Sequence, residues 1–92
     1  MSLEQTESQQ RHEPITDLDC TGLLCPLPVY KAALALGGLQ TGERLRLTTT
    51  DPGALSDIPA MARQRGDTLV SVEENGSTHV FVVEKGGGQP AR

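Results

Sequence analysis

The sequence has little of several residue types, and each shortage excludes a class of protein. Its 92 residues include no Trp, one Tyr and one Phe, and the formal net charge is −4. Nucleic-acid-binding surfaces need clustered basic side chains, usually with aromatic residues among them, so we expect no direct nucleic-acid binding. No apolar run approaches the roughly 20 residues of a membrane-spanning helix, and the first residues are polar and acidic. We therefore expect a cytoplasmic protein that makes no membrane contact.

Cysteine is also scarce. The chain has two cysteines, Cys20 and Cys25, at C-x4-C spacing. Two cysteines cannot form a disulfide framework, and together with His12 and His79 they make a poor ligand set for a metal ion. The sequence therefore predicts neither a metal nor another cofactor.

The most informative segment begins at Cys25. The Cys25-Pro26-Leu27-Pro28 sequence is followed by residues without a helix breaker until Gly37-Gly38. Proline is favoured in the first turn of a helix, so we predict a helix from Pro26 to about Leu36, with Cys25 as its N-cap. Thiols at helix N-termini can have pKa values of roughly 3.5–7.5, because unpaired N–H groups favour the thiolate. The sequence therefore predicts an activated nucleophile at Cys25.

The rest of the chain alternates between strands and helices. Residues 15–20 predict a first strand, and the alternating residues 44–50 predict a second strand with Leu45, Leu47 and Thr49 facing inward. A second helix is expected to end near Arg65, but Pro59 conflicts with a continuous helix. Either Asp51 caps a first turn that bends at Pro59, or Asp57 is the N-cap, and we favour Asp57.

A hairpin closes the sequence. Asn75-Gly76 between two alternating segments predicts a type I′ turn, which pairs Val72 with His79. The predicted order is βαβαββ, an α+β two-layer sandwich in which two helices cover one face of a four-stranded mixed sheet. The other face would be open, with an apolar patch of Leu69, Val80 and Val82. We expect a disordered N-terminal tail at residues 1–14, one domain at 15–85 and a flexible C-terminal tail at 86–92.

Several short motifs together resemble the TusA-like (SirA/YedF) sulfur carrier family, over Ile15 to Lys85. The matching segments are Leu18-Asp19, Gly22-Leu23, Cys25-Pro26-Leu27-Pro28-Val29, Gly42-Glu43, Asp51-Pro52-Gly53, Asp57-Ile58-Pro59 and the closing hairpin. The resemblance implies that Cys25 accepts sulfane sulfur from a cysteine desulfurase or a rhodanese and holds it as a persulfide. It also implies delivery to an acceptor protein, for tRNA thiolation, cofactor assembly or sulfur oxidation.

The site expectations follow from this resemblance and from the position of Cys25. Cys25 is the expected sulfur-carrying residue, and Gly22, Pro26 and Pro28 are expected to support the start of the helix. The exposed residues expected to dock a partner protein are Leu24, Leu27 and Lys31. We expect a monomer with little turnover in the absence of its partners.

Two other functions are open on the sequence alone. A dithiol redox protein would use Cys20 and Cys25, although C-x-x-C is the spacing usual for such sites. A non-catalytic binding or regulatory module would leave the Cys-Pro-x-Pro motif without a role. We expect Cys20 to be an inert core residue, because it shares a strand face with Leu18.

Overall fold

The computed structural model describes residues 15–87 and confirms the predicted βαβαββ order. The strands and helices are β1 (Ile15–Cys20), α1 (Leu27–Gly37), β2 (Arg44–Thr49), α2 (Ala54–Arg65), β3 (Thr68–Asn75) and β4 (Thr78–Glu84). They form one four-stranded sheet in the order β1-β2-β4-β3. β1 and β2 are parallel, whereas β4 is antiparallel to both β2 and β3, so the sheet is mixed as expected.

The core lies between the two helices and one face of the sheet. α1 buries Pro28, Ala32 and Leu36, which recur every four residues and so share one side of the helix. The predicted inward residues of β2 are confirmed, because Leu45, Leu47 and Thr49 are fully buried. The remaining buried apolar residues are Cys20, Ala54, Ile58, Met61, Ala62, Phe81 and Val83. With so few aromatic residues available, Phe81 is the largest of these side chains and lies on the central strand β4.

The predicted start of the second helix was wrong. α2 begins at Ala54 with Gly53 as its N-cap, and the Asp57 amide donates the first helical hydrogen bond, 3.0 Å to the Gly53 carbonyl. Asp57 is therefore inside the helix, and so is Pro59. A proline there removes one hydrogen bond and costs about 3 kcal/mol in an ordinary helix. Burial of the α2 side chains against the sheet offsets that loss, which is why the helix continues through the proline.

The hairpin register also differs from the prediction. Asn75 pairs with Thr78, so Gly76 and Ser77 form the turn, and Val72 lies opposite Phe81 and not opposite His79. Gly76 has a φ of 65°. Only glycines have a positive φ among the described residues, so the φ of Ser77 is negative. A type I′ turn needs positive φ at both central residues, whereas a type II′ turn needs it only at the first. The turn is therefore of the type II′ kind.

A β-bulge in β3 changes which residues lie on the open face of the sheet. The register shifts between Leu69 and Ser71, so that Leu69 lies opposite Val83 and packs against the core. The predicted patch was thus wrong at Leu69, because the extra residue of the bulge interrupts the alternation and places Leu69 and Val72 on the same face of the sheet. Val80 and Val82 remain on the open face, where they alternate with the buried residues of β4.

The end of the described chain is tied to the domain. The Lys85 ammonium group donates to the carbonyls of Leu36 and Leu39 at 2.8 and 3.1 Å, where the end of α1 needs donors. The Gly86 amide donates to buried Asp67 at 2.8 Å. The predicted N-terminal tail at residues 1–14 and residues 88–92 of the predicted C-terminal tail at 86–92 lie outside the described residues. In residues 15–87, no helix has both the length and the apolar character needed to span a membrane.

Candidate functional site

Cys25 lies in the loop that connects β1 to α1. The Leu27 amide donates to the Leu24 carbonyl at 2.9 Å, which closes a four-residue turn with Cys25 and Pro26 at its centre. Pro26 is the N-cap of α1, and the first helical hydrogen bond runs from Tyr30 to the Pro26 carbonyl. The prediction that Cys25 is the N-cap and Pro26 the first helical residue was therefore wrong by one position, because the turn takes up Cys25 before the helix begins.

The loop before Cys25 is held by short polar contacts. The Asp19 carboxylate accepts two hydrogen bonds from Thr21, one from its backbone amide at 3.0 Å and one from the Thr21 hydroxyl at 2.8 Å. The Gly22 amide donates to the Thr50 hydroxyl at 2.9 Å, which joins this loop to the loop that follows β2. Gly22 has a φ of 82°, a conformation that favours glycine. These contacts fix the path by which the chain reaches Cys25.

The thiol of Cys25 is exposed and lies beside a carboxylate. Its Sγ atom donates to Oδ2 of Asp57 at 3.5 Å. Asp57 is placed there by the first turn of α2, and α1 and α2 pack side by side on the sheet. The two residues are 32 positions apart in the sequence, so no local motif could have paired them.

The carboxylate reverses the predicted chemistry of the thiol. Its hydrogen bond with Asp57 raises the pKa of Cys25 above that of an ordinary thiol, and desolvation and the charges of Asp57 and Asp51 raise it further. The prediction of a lowered pKa was wrong, because it considered the helix terminus and not the acidic side chains that α2 and its preceding loop bring to the sulfur. These contacts favour the thiol over the thiolate more than the surroundings of an ordinary cysteine do.

Cys20 has a different environment from Cys25. It is fully buried in the core, on the covered face of the sheet, and burial raises its pKa. Both cysteines are free thiols. Cys25 is therefore the one thiol of the chain that a protein partner can reach without unfolding.

Exposed apolar residues lie on both sides of Cys25 in the sequence. Leu24 is 70% exposed and Leu27 is 45% exposed, whereas Pro28 is buried. Lys31 is exposed one turn further along α1. Leu24, Leu27 and Lys31 thus lie on the surface near Cys25, as docking residues must. Tyr30 and Leu34 are not among the predicted docking residues, but they are also exposed and continue the apolar surface along α1.

A shallow groove of about 620 Å³ runs between the two helices. Asp57 is one of its lining residues, and the other lining side chains are mostly apolar. They are Pro26, Leu27, Val29, Tyr30, Ala33, Ala60, Met61 and Gln64. No local sequence pattern indicates this groove, because it forms only when the two helices pack together. Within residues 15–87, no group of three or more His, Cys, Asp or Glu side chains is arranged to hold a metal ion.

Comparisons with known proteins agree on one family. The family profile described as "Sulfurtransferase TusA" matches residues 16–85. The sulfur carrier protein TusA of Allochromatium vinosum is 38% identical over 69 residues, which are 75% of this chain and 91% of that protein. A Neisseria meningitidis serogroup A protein, named as a proposed sulfur carrier, is 42% identical over 67 residues, 73% of this chain and 90% of its own length. A similarly named protein of Archaeoglobus fulgidus is 40% identical over 57 residues, 62% of this chain and 74% of that protein.

Proposed function

This chain belongs to the TusA family of sulfurtransferases, and from that premise we propose that it carries sulfane sulfur as a persulfide on Cys25. Membership of this family gives the chain the general role of a sulfur carrier. One observation supports the assignment to Cys25: of the two cysteines in the sequence, only Cys25 is exposed. A carrier must receive sulfur from one protein and present it to another, so its sulfur must be accessible to large partners.

The proposed chemistry is two successive sulfur transfers. The Cys25 thiolate attacks the outer sulfur of a persulfide on the donor protein. A new S–S bond forms to Cys25, the S–S bond within the donor breaks, and the donor cysteine leaves as a thiolate. The acceptor thiolate then attacks the outer sulfur on Cys25 in the same way. One S–S bond forms and one breaks in each step, so no external oxidant or reductant is needed.

The environment of Cys25 suits a carrier that acts in a docked complex. The thiolate is the nucleophile, and the Asp57 carboxylate disfavours it in the free protein. The Cys25 thiol therefore reacts slowly with other electrophiles until a partner protein docks. The proposed donor is a cysteine desulfurase or a rhodanese, and the acceptor is a sulfur-relay protein that serves tRNA thiolation, cofactor assembly or sulfur oxidation.

The proposed docking surface consists of Leu24, Leu27 and Lys31. Exposed apolar groups beside the reacting atom are the usual anchors of a protein contact. Because Lys31 is the one charged residue of the three, the contact should be mainly apolar and depend little on salt. Gly22, Pro26 and Pro28 support the site by shaping the loop and the start of α1. We further propose that the carrier is a cytoplasmic monomer. The open sheet face carries polar side chains such as the paired Asp17 and Arg46, which suit solvent better than a tight dimer interface.

Intact-mass spectrometry tests the proposal. The protein is incubated with a cysteine desulfurase and cysteine, and its mass is measured before and after reduction. We expect the wild-type chain and Cys20→Ala to gain one sulfur atom that a reducing thiol removes, and Cys25→Ser to gain none. Equal loss of uptake in both variants, with a disulfide in the wild type, would support dithiol redox chemistry instead. No mass change in any form, in the presence of an active donor, would support a binding module.

A further inference from the structure

The charged side chain in contact with the Cys25 sulfur is a carboxylate. Asp57 lies 3.5 Å from the sulfur, and Asp51 adds a second negative charge that acts on the thiol. Within residues 15–87, neither Asp57 nor Asp51 forms an ion pair. The ion pairs there join Arg44 to Glu84, Arg46 to Asp17 and Arg65 to Asp67. The carboxylate in contact with the reacting sulfur is thus not offset by an ion pair.

We propose that Asp57 makes sulfur transfer at Cys25 selective for charge, so that anionic small-molecule sulfur compounds react poorly. This inference rests on the proposed function, because it concerns which donors reach the persulfide-forming thiol. Asp57 is here a specificity-determining residue, since its side chain faces the reacting atom itself.

The selectivity follows from the geometry of the attack. A compound that reacts at Sγ must place its reacting atom beside the sulfur, and hence close to the Asp57 carboxylate. Two unit charges about 4 Å apart interact by roughly 1 kcal/mol even in water-like surroundings, which corresponds to about fivefold in rate. An anionic compound such as thiosulfate is slowed by this repulsion, whereas a donor protein that brings a cationic side chain beside its persulfide is not.

Two alkylating reagents of different charge isolate the effect. Iodoacetate and iodoacetamide both lose iodide when the thiolate attacks the same type of carbon, and they differ in that iodoacetate is an anion. Both need the same thiolate, so the ratio of their rate constants at Cys25 cancels any change in the thiolate fraction. The rates are measured by peptide mapping of Cys25 in the folded protein.

Asp57→Asn and Glu43→Gln form a matched pair for this experiment. Each variant replaces a carboxylate with an amide of the same shape. Glu43 directly precedes the first residue of β2, at the end of the sheet opposite Cys20 and the Cys25 loop. We expect Asp57→Asn to raise the iodoacetate-to-iodoacetamide ratio about fivefold, and Glu43→Gln to leave it unchanged. We also expect about 1 M salt to raise the ratio in the wild-type protein. An unchanged ratio in Asp57→Asn, or a ratio insensitive to salt in the wild type, overturns the proposal.

A second arm separates this inference from the proposed function. Thiosulfate transfers its outer sulfur to a thiolate and releases sulfite, so the loaded form is the same persulfide. We expect Asp57→Asn to load from thiosulfate faster than the wild type does. The increase in the loading rate should exceed the increase in the rate of alkylation by iodoacetamide. If no donor loads Cys25 in either form, the proposed function fails, and the alkylation ratio still decides whether the site is charge-selective.

Discussion

The Sγ atom of Cys25 lies 3.5 Å from Oδ2 of Asp57, although 32 positions separate the two residues in the sequence. The contact exists because α1 and α2 pack side by side on the same face of the sheet, with the first turns of α2 next to the loop before α1. It places a carboxylate that acts on the exposed thiol on α2, whereas the thiol itself lies in the loop before α1. The reactivity of Cys25 therefore depends on how the two helices are packed.

Removal of the Asp57 charge is expected to lower the pKa of Cys25. The carboxylate accepts a hydrogen bond from the thiol and repels the thiolate, and both effects raise the pKa in the wild type. In Asp57→Asn the thiolate forms at lower pH, so alkylation by neutral iodoacetamide should be faster at neutral pH and its pH profile should shift to lower values. A profile that is unchanged, or that shifts to higher pH, would contradict the role assigned to the Asp57 contact.

Leu27→Glu is expected to slow sulfur transfer to and from the partner protein by about tenfold or more, as loss of an apolar anchor at an interface does. Leu27 is exposed beside Cys25 and lines the groove between the helices. Alkylation of Cys25 by a small neutral reagent should change little. Single-turnover transfer of radiolabelled sulfur measures the first rate, and mass spectrometry measures the second.

Leu34→Glu is the control for this docking test. Leu34 is equally apolar and also exposed, but it lies two helical turns further from Cys25 on α1. If the contact is centred on Cys25, this variant should transfer sulfur at close to the wild-type rate. A fall of both transfer and alkylation in Leu27→Glu would instead show that Leu27 is a structural residue.

Cys20 substitutions are expected to affect stability and not sulfur uptake. Cys20 is fully buried among apolar side chains. Cys20→Ala should lower the free energy of unfolding by about 1 kcal/mol, because it leaves a small cavity. Cys20→Ser should lower it by about 2 kcal/mol, because the more polar hydroxyl is buried in the core. Urea unfolding measures both values. Mass spectrometry should show that Cys20→Ala still loads a persulfide on Cys25.

Gly86→Ala is expected to destabilise the domain. A Cβ atom at Gly86 would collide with the carbonyl oxygen of Gly66, at the end of α2. Relief of that collision must move the backbone that also donates to buried Asp67, so we expect a loss of about 2 kcal/mol in urea unfolding. Gly87→Ala is the matched control, since a Cβ there has nothing within 4 Å. Equal stability of the two variants would show that the chain end is free to shift.

Local pattern was sufficient to predict most of the fold. The strand from Ile15 to Cys20 was predicted at its observed bounds, and α1 was placed within one residue at each end. These elements depend on neighbouring residues: alternation in a strand, and prolines and glycines at the ends of a helix. The predicted inward side of β2 was also confirmed, because alternation assigns Leu45, Leu47 and Thr49 to one face.

The errors have non-local causes. The bulge that follows Leu69 and the turn at Gly76-Ser77 depend on how β3 fits β4 and α2, and the Asn75-Gly76 signal alone could not reveal this. The continuation of α2 through Pro59 is set by packing on the sheet, which local propensity does not include. The pKa of Cys25 was mispredicted for the same reason, since its controlling carboxylate comes from the other helix.

The burial of Cys20 limits how much sulfur a population of these molecules can hold. With one thiol enclosed in the core and one exposed, each chain has a single loading position under the proposed function. It has no accessible second thiol to attack the loaded sulfur and release it from within the same molecule. Sulfur in transit can therefore never exceed the number of chains, and flux through the relay scales with the abundance of the protein and the frequency of its encounters.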